Sequence, residues 1–431
     1  MIVQLLDPTS IGYALRRHLQ GSSTRRNERL ALLQSYSGVG IEGDVTKYFP
    51  REAMENSPVM KQRIARKLID ARAVAYKDKP ERTADEKYLE KIGDIDAAML
   101  ELDRMTKLLG TVALLRRYDT DLERLIPEVV TIFEPIWLEG EADPSGIAYP
   151  LSGEYAKAED QLWAVWTADA HFLANRSGET FAVSDDNPDK VNPYGVLPVV
   201  WSHNGANLGS WWRAPASDIA NAQTSFNVIG TQLMLGAMFQ SLGQPVASGI
   251  NDRDELNVGP YNLWKLPEGA RFDFATPTSD LTRIIAIQRW VVESAAYTNH
   301  LTIKWAEGGG ATSGEHQRIL EVDLTEAVMS DFHSLRVVEN DRFAIDREIL
   351  AVFKINIEDK YHVNFAEPHI PLSAAEERAD WEWKWTNNLA SKQDWFNLND
   401  PDRTPEEVQA ERLAEEPPAS TPLTALLNRK V

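Results

Sequence analysis

Between Glu315 and Phe353 the chain contains neither proline nor glycine. Proline removes a backbone donor and glycine raises the entropic cost of helix formation. A stretch lacking both offers no natural place to stop, so it reads as one unusually long helix. Immediately before it lies Glu307-Gly308-Gly309-Gly310-Ala311-Thr312-Ser313-Gly314, whose glycines make it the most flexible stretch of the sequence.

Two further helices precede that loop. Ile219, Phe226, Ile229, Leu233 and Ala237 keep one apolar stripe through about Phe239, with Asp218 as cap or first-turn acid. Leu281, Ile284, Ile285, Val291, Val292 and Ala295 form the stripe of a second helix from about Ser279 to Thr302, capped by Ser279 or Thr278. At ~1.5 Å per residue each spans about 30 Å. Gly243-Gln244-Pro245 stops the first, and a compact β segment separates the two, with turns at Val258-Gly259-Pro260-Tyr261 and Leu266-Pro267-Glu268-Gly269.

The N-terminal half is mixed. The first ~50 residues alternate short apolar runs with glycine-rich breaks. Pro58 to Tyr76 reads as a helix with Val59, Ile64, Leu68 and Ala71 inward and a basic face of Lys61, Arg63, Arg66, Lys67 and Arg72. That face is a solvated surface or a contact for DNA or an acidic partner. A second charged helix is expected from Thr83 to about Leu109, ending at Gly110. Thr111–Tyr118, Val129–Leu138, Gly146–Leu151 and Gln161–Leu173 are β-branched and aromatic runs between turn signals, expected to form an antiparallel meander. From Leu372 the chain turns helical, acidic and tryptophan-rich, breaks at Asn399-Asp400-Pro401-Asp402, and is expected to be mobile beyond Pro417-Pro418. The fold class is α+β, mainly α.

Composition narrows function. The 431 residues are 43% hydrophobic and 26% charged, enough for a packed core. A formal charge of −20 disfavours a protein that grips DNA through its phosphates, but suits a wall past which DNA slides. With no cysteine, disulfides, thiolate nucleophiles and cysteine metal sites drop out, in keeping with a reducing cytoplasm. No signal peptide or membrane span is expected, since Asp7 and Pro8 end the first apolar run and no run approaches ~20 residues.

No motif supports catalysis. The loop Gly308–Gly314 lacks the Gly-Lys-Ser/Thr ending of a phosphate-binding loop and follows a helix. Asp252, Asp254 and Glu255 lack calcium-loop spacing and read as a solvated turn. The eight histidines, His300 and His316 among them, include no helical metal pair, and no nucleophile elbow occurs. Thirteen tryptophans raise the alternative of a carbohydrate-active or carbohydrate-binding protein, although Trp381 and Trp385 share a helical face and read as packing residues. No enzyme activity, metal or cofactor is expected.

The order helix, small β insert, helix, glycine loop, very long helix resembles the portal proteins of tailed bacteriophages. Local strings are similar too: Asn192-Pro193-Tyr194-Gly195 with Leu197-Pro198-Val199-Val200, Phe239-Gln240-Ser241-Leu242-Gly243-Gln244-Pro245, Asn257-Val258-Gly259-Pro260, and Ala390-Ser391-Lys392 followed by Asn399-Asp400-Pro401-Asp402. The resemblance implies a wing at residues 1–217, stem helices at 218–239 and 279–304, a clip at 240–278 and a tunnel loop at 305–314. It implies a long helix returning to the wing at 315–371 and a crown at 372–431. Glu293, Glu307, Gly308, Gly309, Gly310, Thr312, Gly314 and Glu315 would line a DNA channel. Asp252, Arg253, Asp254, Glu255, Tyr261 and Trp264 would form a docking surface for terminase and connector proteins.

By that resemblance the chain forms a homo-oligomeric ring, a dodecamer, at one capsid vertex of a virion, assembled in the host cytoplasm. Its partners would be the terminase large subunit, a head-tail adaptor, major capsid and scaffolding proteins, and double-stranded DNA passing without sequence reading, with no membrane involved. A portal-like ring of a gene transfer agent fits the same residues. One physical argument points the same way: a lone two-helix hairpin cannot bury both its sides within one subunit, and head-to-tail contacts of one kind close into rings.

Overall fold

The computed structural model describes residues 1–21, 24–54, 57–151, 161–205, 209–242, 244–248, 271–275, 280–303, 314–366, 374–387 and 389–391. It divides into two units, one of residues 1–305 with 321–368, the other of 306–320 with 369–431. The fold is α+β and mainly α.

Strand β1 (Ile2–Val3) leads into α1 (Pro8–Gln20), α2 (Thr24–Ser37), α3 (Ile41–Thr46) and α4 (Arg51–Met54), a helical start that the short apolar runs did not reveal. Asp7 caps α1 by accepting the Thr9 and Ser10 N–H groups at 3.0 Å, and Pro8 takes the position where its missing donor costs nothing.

The helix expected over Pro58–Tyr76 is shorter, α5 (Ile64–Arg72), and residues 57–63 form neither helix nor strand. Side chains elsewhere claim backbone donors here. Met60 N–H donates to Thr231 Oγ1 at 3.0 Å, Gln62 N–H to Asn227 Oδ1 at 2.7 Å and, in the first turn of α5, Ala65 N–H to Gln223 Oε1 at 2.9 Å. Partners more than 150 residues away thus take donors that an intrahelical ladder would need. Of the expected basic face, Lys61, Arg63, Arg66 and Lys67 are exposed, Lys61 beside Glu42 and Arg66 beside Asp70, while Arg72 turns inward onto Asp331 at 2.6 Å.

The single helix expected from Thr83 is three elements: β2 (Glu81–Ala84), α6 (Glu86–Ile92), capped by Asp85, and α7 (Asp96–Leu109). Gly93, at φ +58°, separates the helices. Gly110 ends α7 at φ +77°, where a Cβ would stand 2.5 Å from the Arg213 carbonyl oxygen. Only glycine fits both that backbone and that approach.

The meander divides into two sheets. β3 (Thr111–Asp119) lies between β4 (Arg124–Val130) and β10 (Val199–His203) in an antiparallel three-stranded sheet. β5 (Glu134–Leu138), β6 (Gly146–Pro150), β7 (Leu162–Thr167), β8 (His171–Asn175) and β9 (Thr180–Phe181) follow in order in the second, whose far edge is β1, parallel to β5. The runs Val129–Leu138 and Gln161–Leu173 each take in parts of two strands. Ala113, Leu115, Phe133, Ile147, Ala164 and Trp166 fill the space between the sheets. Helix α1 covers the outer face of the larger sheet through Ile11 and Leu15. Val112 and Leu114, on the other face of β3, join the helical core, so β3 is apolar on both faces, as a strand buried between layers should be.

Then come α8 (Ser217–Leu242), the antiparallel pair β11 (Gln244–Ser248) and β12 (Arg271–Ala275), α9 (Leu281–Thr298), α10 (Gly314–Val352), β13 (Tyr361–Asn364), which pairs with β2, and, in the second unit, α11 (Ala374–Thr386). The long α10 starts and ends within one residue of expectation. Its core side is charged. Arg342, Glu339 and Asp346 are fully buried. Asp346 accepts two bonds from Arg116 and one from the Tyr88 hydroxyl at 2.9 Å, while Arg342 donates to Glu339 at 2.6 Å and Arg82 donates to the same carboxylate at 2.9 Å. Burial pushes Glu339 up, but the guanidinium groups of Arg342 and Arg82 prevail and hold it at about 2. The network ties α10 to β2, β3 and α6.

Candidate functional site

The α8–α9 hairpin is the candidate site, because it combines an unusual buried interior with an uncovered outer face. At 26 and 18 residues, the helices span ~39 Å and ~27 Å. Their antiparallel register is fixed at three levels. At one end Thr298 Oγ1 and Asn299 Nδ2 each donate to Asp218 Oδ2 at 3.0 Å. Midway, Gln288 Nε2 donates to the Phe226 carbonyl at 3.0 Å. Near the β insert, Gly236 leaves room for Leu281, whose Cδ2 would lie 3.3 Å from an added Cβ. The N-cap of α9 is Asp280, accepting from Arg283 N–H at 3.2 Å. It replaces the Ser279 or Thr278 expected from sequence.

The inner side of α8 is polar. Gln223, Asn227 and Thr231, at i, i+4 and i+8, are all buried and bond the non-helical segment and first turn of α5 described above. Asn227 closes a two-way pair by donating Nδ2 to the Gln62 carbonyl at 2.9 Å. Gly230 supplies the notch, since a Cβ there would meet Met60 Sδ at 1.9 Å and Gln288 Nε2 at 2.7 Å. A backbone strap thus lies in a ladder of carboxamides and a hydroxyl, every group with a partner.

The outer side of α9 differs. Its inner residues are Gln288, Val292, Ala295 and Ala296. Ile285, expected in the apolar stripe, is exposed. So is Ala237 on α8. Trp290 is 64% and Tyr297 78% exposed, with Ile287 also uncovered. Arg283, Trp290 and Tyr297 recur every seven residues and form one line along the helix. Large exposed aromatic residues in a row mark an interaction face.

On the far side of α8 from α9, a groove of about 550 Å³ runs between α2, α3 and α8. Ser217, Asn221 and Thr224 line its α8 wall, and Glu28, Asp44 and Tyr48 its opposite wall. Ser217 Oγ donates to Glu28 at 3.1 Å.

Of the residues expected to line a channel, Glu293 is exposed on α9, and Gly314 and Glu315 open α10. Glu307, Gly308, Gly309, Gly310 and Thr312 lie outside the described residues, as do Asp252, Arg253, Asp254, Glu255, Tyr261 and Trp264. His300 is exposed just past α9 in a left-handed backbone at φ +59°. Among the described residues no group of three histidines and carboxylates could hold a metal, and no helix is long and apolar enough to cross a membrane.

The tryptophans of the sheets face inward. Trp163 and Trp166 are 1% and 2% exposed. Trp166 is stacked on His171 at 3.3 Å and parallel to Tyr194 at 5.8 Å, while Trp211 meets Trp137, Trp201 and Trp212 edge-on. Desolvation lowers the His171 pKa to about 4. In the second unit Trp381 and Trp385 are 6.0 Å apart on one face of α11, with Lys384 Nζ 5.0 Å over Trp381.

No family model matches the chain, and no curated protein does. Solved structures do. A chain from the neck of an empty gene transfer agent particle, computed with C6 symmetry, aligns at 11% identity and a TM-score of 0.39, covering 86% of this chain and 93% of that one. A chain from the virion of a native gene transfer agent particle gives 11%, 0.41, 86% and 92%. A chain from the neck of a native particle, computed with C12 symmetry, gives 12%, 0.42, 86% and 92%. With scores and identities this low, function must be read from this chain's own residues.

Proposed function

We propose that this chain is a ring-forming structural subunit of a phage-like particle, a portal protein whose ring surrounds the channel for DNA packaging and ejection. The observation that carries the reading is the α8–α9 hairpin. It is capped by a β insert and followed by a 39-residue helix, and it leaves Trp290 and Tyr297 uncovered. A subunit working alone gains nothing from such a face, whereas identical neighbours can bury it by one repeated contact. The ring is a homododecamer at one capsid vertex, or the equivalent ring of a gene transfer agent, assembled in the host cytoplasm.

In this reading the subunit hydrolyses nothing. Terminase supplies the ATP-driven force and docks at the clip around Asp252–Glu255, Tyr261 and Trp264, where a head-tail adaptor docks later. Capsid and scaffolding proteins surround the wing. Glu293, Glu307 and Glu315 give the channel part of its negative surface, against which phosphates do not stick. Particles assembled with all three glutamates reversed to lysine are expected to package or retain DNA abnormally. Unchanged packaging and retention would remove the channel role of these residues.

A further inference from the structure

Resting on the ring reading, we infer that the contact between neighbouring subunits is head-to-tail across the hairpin. The outer face of α9 in one copy seats in the α2–α3–α8 groove of the next. Three observations converge on this pairing.

The two surfaces lie on opposite flanks. Along α9 the buried residues Gln288, Val292 and Ala296 face α8, so the line Arg283, Trp290, Tyr297 points away from it. Along α8 the residues Asp218 and Gly236 meet α9, while Ser217, Asn221 and Thr224 open into the groove. A contact joining unlike flanks repeats without end until rotation closes it, which is how a cyclic ring is made.

The surfaces also complement each other in shape and hydrogen bonding. α9 presents bulky aromatic side chains, whereas the α8 wall offers small ones and a cavity of about 550 Å³. The register that holds the hairpin sets Trp290 and Tyr297 level with the stretch of α8 that lines the groove. The indole N–H of Trp290 and the hydroxyl of Tyr297 need acceptors once buried. The groove supplies the Glu28 carboxylate and the Asn221 carboxamide, while its Asp44 is paired with Lys47 at 2.8 Å.

Finally, the surfaces lie at the same height. The register that pairs Asp218 with Thr298 and Phe226 with Gln288 sets Asn221 level with Ser294, on opposite flanks of the hairpin. Neighbours related by rotation about an axis running along the hairpin bring those levels together.

The chain has no cysteine, so introduced thiols report this contact without background. Asn221→Cys and Ser294→Cys change exposed positions, and within one copy both helices keep them apart, beyond the reach of a disulfide. Under mild oxidation the double variant is expected to give a ladder of covalent multimers, an equimolar mixture of the single variants dimers only, and each single variant alone monomers. Dimers from Ser294→Cys alone would overturn the inference, because the face would then pair with itself. Rings in electron micrographs of a double variant that yields no ladder would overturn it too, leaving the ring reading intact. If neither rings nor ladder form, both fall.

Discussion

Asp346 on α10 holds Arg116 on β3 through two charge-assisted hydrogen bonds, Nε to Oδ1 at 2.6 Å and Nη2 to Oδ2 at 2.9 Å, with both side chains fully buried. This contact fixes the longest helix to the central strand. Removing one partner strands the other charge in the core, at a cost of about 3–5 kcal/mol. Asp346→Ala is therefore expected to lower the denaturation midpoint sharply. Replacing both residues with apolar ones should recover much of the loss, and denaturant titration of both variants checks it.

Asp103 supplies a pH dependence. It sits on α7 at 2% exposure, and its Oδ2 lacks a hydrogen-bond partner. Lys107 and Arg72, the cations beside it, both bind Asp331 on α10, at 2.8 and 2.6 Å. Desolvation raises Asp103 from 3.8 to about 6; Lys107 opposes the rise and Asp331 adds to it. A raised folded pKa stabilises fully below the ordinary value, and that contribution is lost as pH climbs through about 6. Asp103→Asn should then stabilise the protein by up to about 3 kcal/mol at pH 8. The gain should shrink toward pH 5, as thermal unfolding at both pH values would show.

Asn227 and the strap make a local prediction. Asn227→Leu leaves the Gln62 N–H and carbonyl without their side-chain partners, in part-buried bonds each worth about 0.5–1.5 kcal/mol. Hydrogen exchange should accelerate at residues 60–65, with little change in α7. Uniform acceleration throughout would instead mean global destabilisation.

Gly110→Ala sets a side chain on a backbone at φ +77° and against the carbonyl oxygens of Arg213 and Ala214, 2.5 and 2.7 Å from its Cβ. With ψ at −41° the backbone lies in a sparsely populated region that alone costs roughly 1–3 kcal/mol, and the clash adds to it. Gly43, within α3 and with nothing within 4 Å of an added Cβ, is the control; alanine there should be neutral or stabilising.

What the sequence disclosed and what it hid follow from the range of the forces involved. The ends of α10 were legible because missing breakers are a local property of Glu315–Phe353. The hairpin helices were legible from their apolar stripes. The inner side of α8 was not. Hydropathy passes over Gln223, Asn227 and Thr231, whose role depends on a backbone more than 150 residues away. The same segment lost its expected helix for that reason. β2 was read as helix because its partner β13 lies far along the chain, although Gly93 marked the real break between helices. Trp290 and Tyr297 stand off the apolar stripe of α9, and only their seven-residue spacing marks them in the sequence. Of the expected channel residues, the described structure places Glu293, Gly314 and Glu315 on helices, and the clip residues fall outside it.

The central claim is assembly, and native mass spectrometry of the purified chain tests it most directly. The account predicts a closed species of about a dozen copies of the 48.5 kDa subunit, seen as rings with a central hole in images of the same sample. A monomer that persists as concentration rises would contradict it.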